Sequence, residues 1–168
     1  MMTMRKSAAA AGTVLFFALA PGMVAGVVPW WLTGWRAGAS YPAPLRAAGL
    51  VMVAIGAAVL IQAFVRFVRE GVGTPAPAAP TQRLVIGGMY RYVRNPMYLA
   101  VLAIIAGQAL ILGRPVLLAY AATVAAAFVG FVHAYEEPTL ARRYGAAYEE
   151  YRRTVPGWYP RRPRRHRT

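Results

Sequence analysis

Three groups of residues in this chain have the types and spacing to do chemistry. The first is Gly87-Gly88-Met89-Tyr90-Arg91-Tyr92-Val93-Arg94-Asn95-Pro96-Met97-Tyr98. Pro96 suits the first position of a following helix, because the N–H it lacks would go unpaired there anyway. Asn95 before it is a favoured N-cap. A helix start of this kind presents unpaired N–H groups and a partial positive charge, which suits an anionic ligand group. The second group is Glu136-Glu137, two of the five acidic residues in the chain. Adjacent carboxylates of this kind suit a ligand's ammonium or its ribose hydroxyls. The third is Leu140, Tyr144, Tyr148 and Tyr151, recurring at spacings of three and four among Arg142, Arg143, Arg152 and Arg153. That period predicts one amphipathic helix over residues 139–153, lying along a membrane surface or folded back as a lid. Its tyrosine faces suit a cationic or lipidic group.

Each group also has a plain reading. Arginines and tyrosines collect at membrane interfaces whatever the function. Carboxylates are favoured in the first turn of a helix. A tyrosine and arginine stripe is what an interfacial helix needs. No cysteine is present, so thiol nucleophiles and thiolate metal sites are excluded, and His133 and His166 stand too far apart in sequence to suggest a metal cluster. His133 reads as a packed or interfacial residue.

Apolar segments must position these groups. The chain has 168 residues, 58% of them hydrophobic, and its mean hydropathy of +0.42 is too high for an ordinary soluble domain of this size. The net charge of +14 would suggest nucleic acid in a soluble protein. Here the basic residues sit at the ends of apolar runs and in the tail, which is a membrane pattern and argues against a nucleic-acid partner. The fold class expected is all-α: a polytopic membrane bundle of about four transmembrane helices plus a C-terminal amphipathic interfacial helix.

Residues 1–70 are expected to hold two spans. Residues 7–32 are uncharged. Arg5-Lys6, the apolar run and Ala18-Leu19-Ala20 also resemble a signal peptide, but the run is longer than a signal core and Pro21 would follow the cut. A retained helix is expected, bent at Pro21 and Pro29, closely packed through Gly22 and Gly26, and anchored by Trp30, Trp31 and Trp35. The second span covers residues 45–65. Residues 71–168 then hold the Pro-rich linker 71–80, a short extended piece at 81–86, the loop of the first group, and a hairpin of two further spans, 96–112 and 115–135. At 17 residues the third span is about 26 Å long. Gln62 and Gln108 are expected to make interhelical hydrogen bonds. With four spans and both termini on one side, 16 basic residues lie on that side and 3 on the other. This makes the former side cytoplasmic and puts all three chemical groups on it, in a bacterial or archaeal plasma membrane.

The order Gly88-x-Tyr90-x-x-Val93-Arg94-Asn95-Pro96-x-Tyr98, a helical hairpin, Glu136-Glu137, then Leu140-x-x-x-Tyr144-Gly145-x-x-Tyr148-x-x-Tyr151 and Val155-Pro156 resembles the isoprenylcysteine carboxyl methyltransferase and phospholipid methyltransferase superfamily. The resemblance covers roughly residues 81–160. It implies an integral membrane methyltransferase that uses S-adenosylmethionine and acts on a lipophilic, prenyl-like or phospholipid-like acceptor (carboxylate, amine or thiol) among the membrane lipids. Carried over, it nominates Gly88, Tyr90, Arg94, Asn95, Pro96, Tyr98, Glu136 and Glu137 for the cofactor. Glu137 and Tyr98 are the catalytic candidates, and Tyr148, Tyr151 and Arg152 the substrate candidates. The prenylcysteine enzymes typically have histidine where this chain has Asn95, which weighs against prenylcysteine as substrate. Two other readings stay open: a non-enzymatic scaffold, and a small exporter, which would want an ionisable residue inside a span.

Overall fold

The structure is a computed structural model that describes residues 15, 19–70 and 84–162. The basic N-terminus, the Pro-rich linker and the end of the basic tail lie outside these residues. The described residues are helical, with no strand among them. In chain order they are α1 (Leu19–Thr33), α2 (Ala43–Glu70), a 3-10 turn (Gly88–Arg91), α3 (Pro96–Leu112), α4 (Pro115–Phe131), α5 (Glu137–Tyr144) and α6 (Ala146–Thr154). Two stretches are long and apolar enough to cross a bilayer, Ala43–Arg66 and Pro115–Tyr144; Leu19–Thr33 and Pro96–Leu112 are apolar but shorter.

α2 and α3 are antiparallel, and their backbones nearly touch. A Cβ at Gly107 would lie 2.6 Å from the Gly49 carbonyl oxygen, and one at Gly56 would lie 2.8 Å from that of Ala100. Gly49 and Gly56 are two turns apart, as are Ala100 and Gly107, so the small residues form one seam. Gly22 and Gly26 were expected to pack this way and do not among the described residues, none of which lies within 4 Å of a Cβ at either. The contact stripe of α1 instead runs through the buried Ala25, Pro29 and Thr33, spaced four apart.

The seam yields a prediction with an internal control. Alanine favours a helix over glycine by about 1 kcal/mol. At Gly130, where a Cβ meets nothing, Gly130→Ala should therefore stabilise the protein slightly. At Gly107 the same methyl would meet the Gly49 carbonyl and, at 3.1 Å, the Val53 nitrogen. These are backbone atoms that move only if the helices part. Overpacking of about 1–3 kcal/mol outweighs the propensity gain, so Gly107→Ala should lower the denaturation midpoint in detergent while Gly130→Ala raises it.

Two π turns solve the problem that proline creates in a helix. In α1, Val28 donates to the Met23 carbonyl, one residue further back than an α-helix requires, and Pro29 has no N–H. The carbonyls that Val28 and Pro29 would have used are those of Val24 and Ala25. Both are caught by the hairpin: the Tyr120 hydroxyl donates to Val24 at 2.8 Å and Gln108 Nε2 to Ala25 at 2.6 Å. Gln108 thus bonds between helices, as expected of it, and to a backbone acceptor. The second π turn, Val132–Glu136, precedes Pro138 and has Glu137 donating to the Val132 carbonyl.

This second turn corrects one expectation. The fourth apolar helix was to stop near Tyr135. It continues instead through the π turn into α5, because the wider turn lets the helix absorb Pro138. A further correction concerns residues 139–153, read as one amphipathic helix. Gly145, at φ 52° and ψ −126°, separates α5 from α6.

Candidate active site

Arg94 stands two residues before α3 and is the point where the loop, the helical hairpin and the C-terminal segment meet. Its Nη1 donates to Glu137 Oε1 at 2.6 Å and to the Tyr148 hydroxyl at 3.1 Å, and its Nε donates to the Val155 carbonyl at 3.0 Å. The Arg94 side chain is 14% exposed and that of Glu137 9%, so the pair is largely withdrawn from water. The other Glu137 oxygen, Oε2, meets His133 Nδ1 at 3.0 Å. Both carboxylate oxygens are therefore engaged.

Backbone bonds lash the C-terminal segment beside Arg94. The Arg94 N–H donates to the Pro156 carbonyl at 2.9 Å, the Asn95 N–H to Gly157 at 3.3 Å, and the Arg161 N–H to Tyr92 at 2.9 Å. Tyr151 adds a side-chain tie, donating to the Tyr90 carbonyl at 2.7 Å. Tyr148, 1% exposed, and Tyr151 thus face the loop and brace it. Tyr144 lies by the Arg143 guanidinium, 5.8 Å from its ring centre, and Arg152 lies 3.9 Å from Glu149 of its own helix.

Glu136 occupies a different environment from its neighbour. Its Oε2 accepts from the Tyr98 hydroxyl at 2.8 Å. The Tyr98 ring packs on Phe128, with centres 4.6 Å apart, and lies 6.3 Å from Trp158. About 20 residues at 1.5 Å each suffice for a hydrocarbon core of about 30 Å, so a span counted from Pro115 would end before these glutamates. Burial pushes the Glu136 carboxyl above its ordinary range, the Tyr98 hydrogen bond only partly opposing it. Burial acts in the same direction on Glu137, but the Arg94 hydrogen bond and charge, with His133, bring it below that range. Two adjacent carboxyls pushed apart in this way suit two different tasks. Burial foremost, then the Glu136 charge, pushes the Tyr90 phenol well up, so it stays a protonated hydroxyl at neutral pH.

Asn95 corrects an expectation. It stands at the N-cap of α3, but its side chain makes no capping bond. Its amide Nδ2 is buried and has no partner among the described residues. An unmet buried donor costs about 1–3 kcal/mol. Gly157 packs closely against it: a Cβ there would lie 3.1 Å from Arg94 Nη2, a crowded contact, and 3.6 Å from Asn95 Nδ2. Pro96 follows, buried at the helix start.

The structure therefore brings Arg94, Tyr98, Glu136, Glu137 and Tyr148 into one set of contacts, with Tyr90 and Tyr151 tied beneath the loop. Gly88 is turned towards α2, where it meets Gln62 and Arg66. Sequence reasoning missed His133 as a partner of Glu137 and Gly157 as the wall beside Arg94. The four-residue spacing of His133 and Glu137 on a continuous helix was the available signal for the first. None existed for the second.

The phospholipid methyltransferase family model matches residues 45–147, from the start of α2 to the start of α6. The match includes Arg94, Glu136 and Glu137 and stops one residue short of Tyr148. No curated protein and no solved structure matches the chain.

Proposed function

Because the chain belongs to the phospholipid methyltransferase family, we propose that it is an integral membrane methyltransferase using S-adenosylmethionine, with four spans and both termini and the site on the cytoplasmic side. The observation that carries the reading is the buried Asn95 amide, without a partner among the described residues, beside the Arg94–Glu137 pair where Gly157 packs closely. The residues present fit the cofactor. An amide donor and a guanidinium suit its carboxylate, carboxylates suit its ammonium and ribose hydroxyls, and the Tyr98 face suits a sulfonium. Arg94, Asn95, Tyr98, Glu136 and Glu137 would hold it. When bound, it supplies an electrophilic methyl group.

The protein's own part is alignment, exclusion of water and proton handling. Glu137, held by Arg94 and His133, acts as a fixed charge. Glu136 is the better base, because its raised carboxyl has a greater pull on a proton near neutral pH. This favours an amine acceptor, which must lose a proton before or as it takes a methyl group. A membrane lipid presenting such an amine at the headgroup level meets both requirements, and Glu136 Oε2 is where the proton would be received.

Asn95→Leu separates ligand binding from folding. It keeps the forked shape and removes an unmet buried donor, which offsets the overpacking of about 1–3 kcal/mol that its bulkier methyl groups bring, so the ligand-free protein should remain folded in chemical denaturation. A hydrogen bond to a charged group contributes about 1.5–3 kcal/mol, so calorimetry in detergent should show affinity for S-adenosylmethionine about 10- to 100-fold weaker. Absence of saturable sub-millimolar binding by the wild type would overturn the proposal. Unchanged affinity in the variant would remove Asn95 from the site.

A further inference from the structure

On the α2 side of the Gly88–Arg91 turn lies an open groove of about 470 Å³, lined by none of Arg94, Tyr98, Glu136, Glu137 or Tyr148. Its wall on α2 is formed by Ala58, Val59, Gln62 and Arg66, and the turn contributes Met89, Arg91 and Tyr92. Two arginines line it, and no acidic residue does among the described side chains. Gly88 makes the shape possible. At φ +57° a Cβ would collide with Gln62 Nε2 and lie 3.1 Å from Arg66 Nε, so only a bare backbone leaves room for both side chains to converge. Gln62 Oε1 also accepts from the Met89 N–H at 3.5 Å, joining the two walls.

The lining is ordered along the helix axis. Ala58 and Val59, Gln62, and Arg66 succeed one another at intervals of about one turn on one face, roughly 6 Å per step. The apolar stretch of α2 that can cross a bilayer ends at Arg66. The apolar floor therefore lies towards the hydrocarbon, and the arginines lie at the level of the headgroups. That is the order of parts in a phospholipid: chain, glycerol, phosphate. An isolated soluble phosphate would use the arginines and Gln62 but not the floor.

From this order we infer that the groove is a binding site, separate from the Arg94 cluster, for the phosphate of an anionic membrane amphiphile. Arg66 and Arg91 take the phosphate, and Ala58 and Val59 lie along the start of its chain. The test uses the full chain in nanodiscs of neutral phosphatidylcholine doped with phosphatidylglycerol, with co-purifying lipid counted by mass spectrometry. Wild type should retain phosphatidylglycerol in preference to phosphatidylcholine. Arg66→Gln with Arg91→Gln should weaken that preference by about fivefold per arginine, and Arg66→Lys with Arg91→Lys should restore most of it. Arg69→Gln, three residues further along and outside the groove, should leave it intact. Circular dichroism checks that each variant is folded.

Retention that survives millimolar inorganic phosphate supports a lipid source. Binding of inorganic phosphate in purely neutral nanodiscs, lost in the double glutamine variant, supports the phosphate site but with a soluble ligand. Equal loss in Arg69→Gln, or no lipid preference in the wild type, overturns the inference. Arg66 and Arg91 are not among the residues proposed to hold the cofactor or handle the proton, Arg94, Asn95, Tyr98, Glu136 and Glu137, so failure here would leave the methyltransferase reading standing.

Discussion

Replacing Arg94 with methionine should destabilise the protein by about 3–5 kcal/mol, measured by chemical denaturation in detergent. An exposed ion pair contributes at most about 1 kcal/mol. The Arg94–Glu137 pair is not of that kind, since its side chains are only 14% and 9% exposed. Methionine fills the space but leaves Glu137 buried without its main counter-charge, a change that costs several kcal/mol. It also leaves the Val155 carbonyl and the Tyr148 hydroxyl without their donor. The backbone bonds from residues 94 and 95 to Pro156 and Gly157 survive, so proteolysis after α6 should become faster without the segment detaching. Arg94→Met with Glu137→Leu should recover much of the loss. A cost below about 1 kcal/mol for the single variant would mean the pair behaves as an exposed one.

Acid should narrow the gap between wild type and variant, for a reason that can be signed. Glu137 has a depressed folded value, so its stabilisation is present above the ordinary carboxylate value of 4.5 and is lost as pH falls through that depressed value. Glu136 has a raised value, so its proton is favoured in the folded state, and that contribution is lost as pH rises through the raised value. In Arg94→Met the largest remaining influence on Glu137 is burial, which puts it in the same class as Glu136. The variant should therefore gain stability on acidification from neutral pH, while the wild type gains from Glu136 alone.

Glu136→Gln should lower turnover by about 10²–10⁴-fold if Glu136 receives the acceptor's proton. Tritium transfer from labelled S-adenosylmethionine to extracted membrane lipids measures it, and the same screen identifies the acceptor. Glutamine keeps the shape and can still meet the Tyr98 hydroxyl, so the ligand-free fold should persist. Tyr98→Phe gives an independent check. The Tyr98 hydrogen bond lowers the Glu136 value, so its removal should raise that value and move the acid limb of the pH–rate profile to higher pH. A base needed in its ionised form requires that direction. A profile that moves the other way, or a Glu136→Gln enzyme of full activity, would return proton transfer to another group.

Helical class, the apolar segments and most of the residues that meet around Arg94 were legible from residue types and their spacing. Hydropathy and charge placement are local properties, and the match over residues 45–147 agrees with the resemblance read from Arg94, Asn95, Pro96 and the glutamate pair. Local reading failed where the answer depended on what lay opposite. Gly22-x-x-x-Gly26 looked like a packing pair, but the seam formed at Gly49, Gly56 and Gly107, because only there does another backbone approach. Pro138 looked like the start of a new helix, but a π turn carried the old one past it.

The different surroundings of the two glutamates come from the fold. Glu136 and Glu137 are identical in type and adjacent in sequence. Successive positions on a helix point about 100° apart, so one meets Arg94 and His133 and the other meets Tyr98. The unmet Asn95 amide is of the same kind: its type allowed a cap, and the bonds its surroundings made or withheld left it a buried donor with no partner among the described residues.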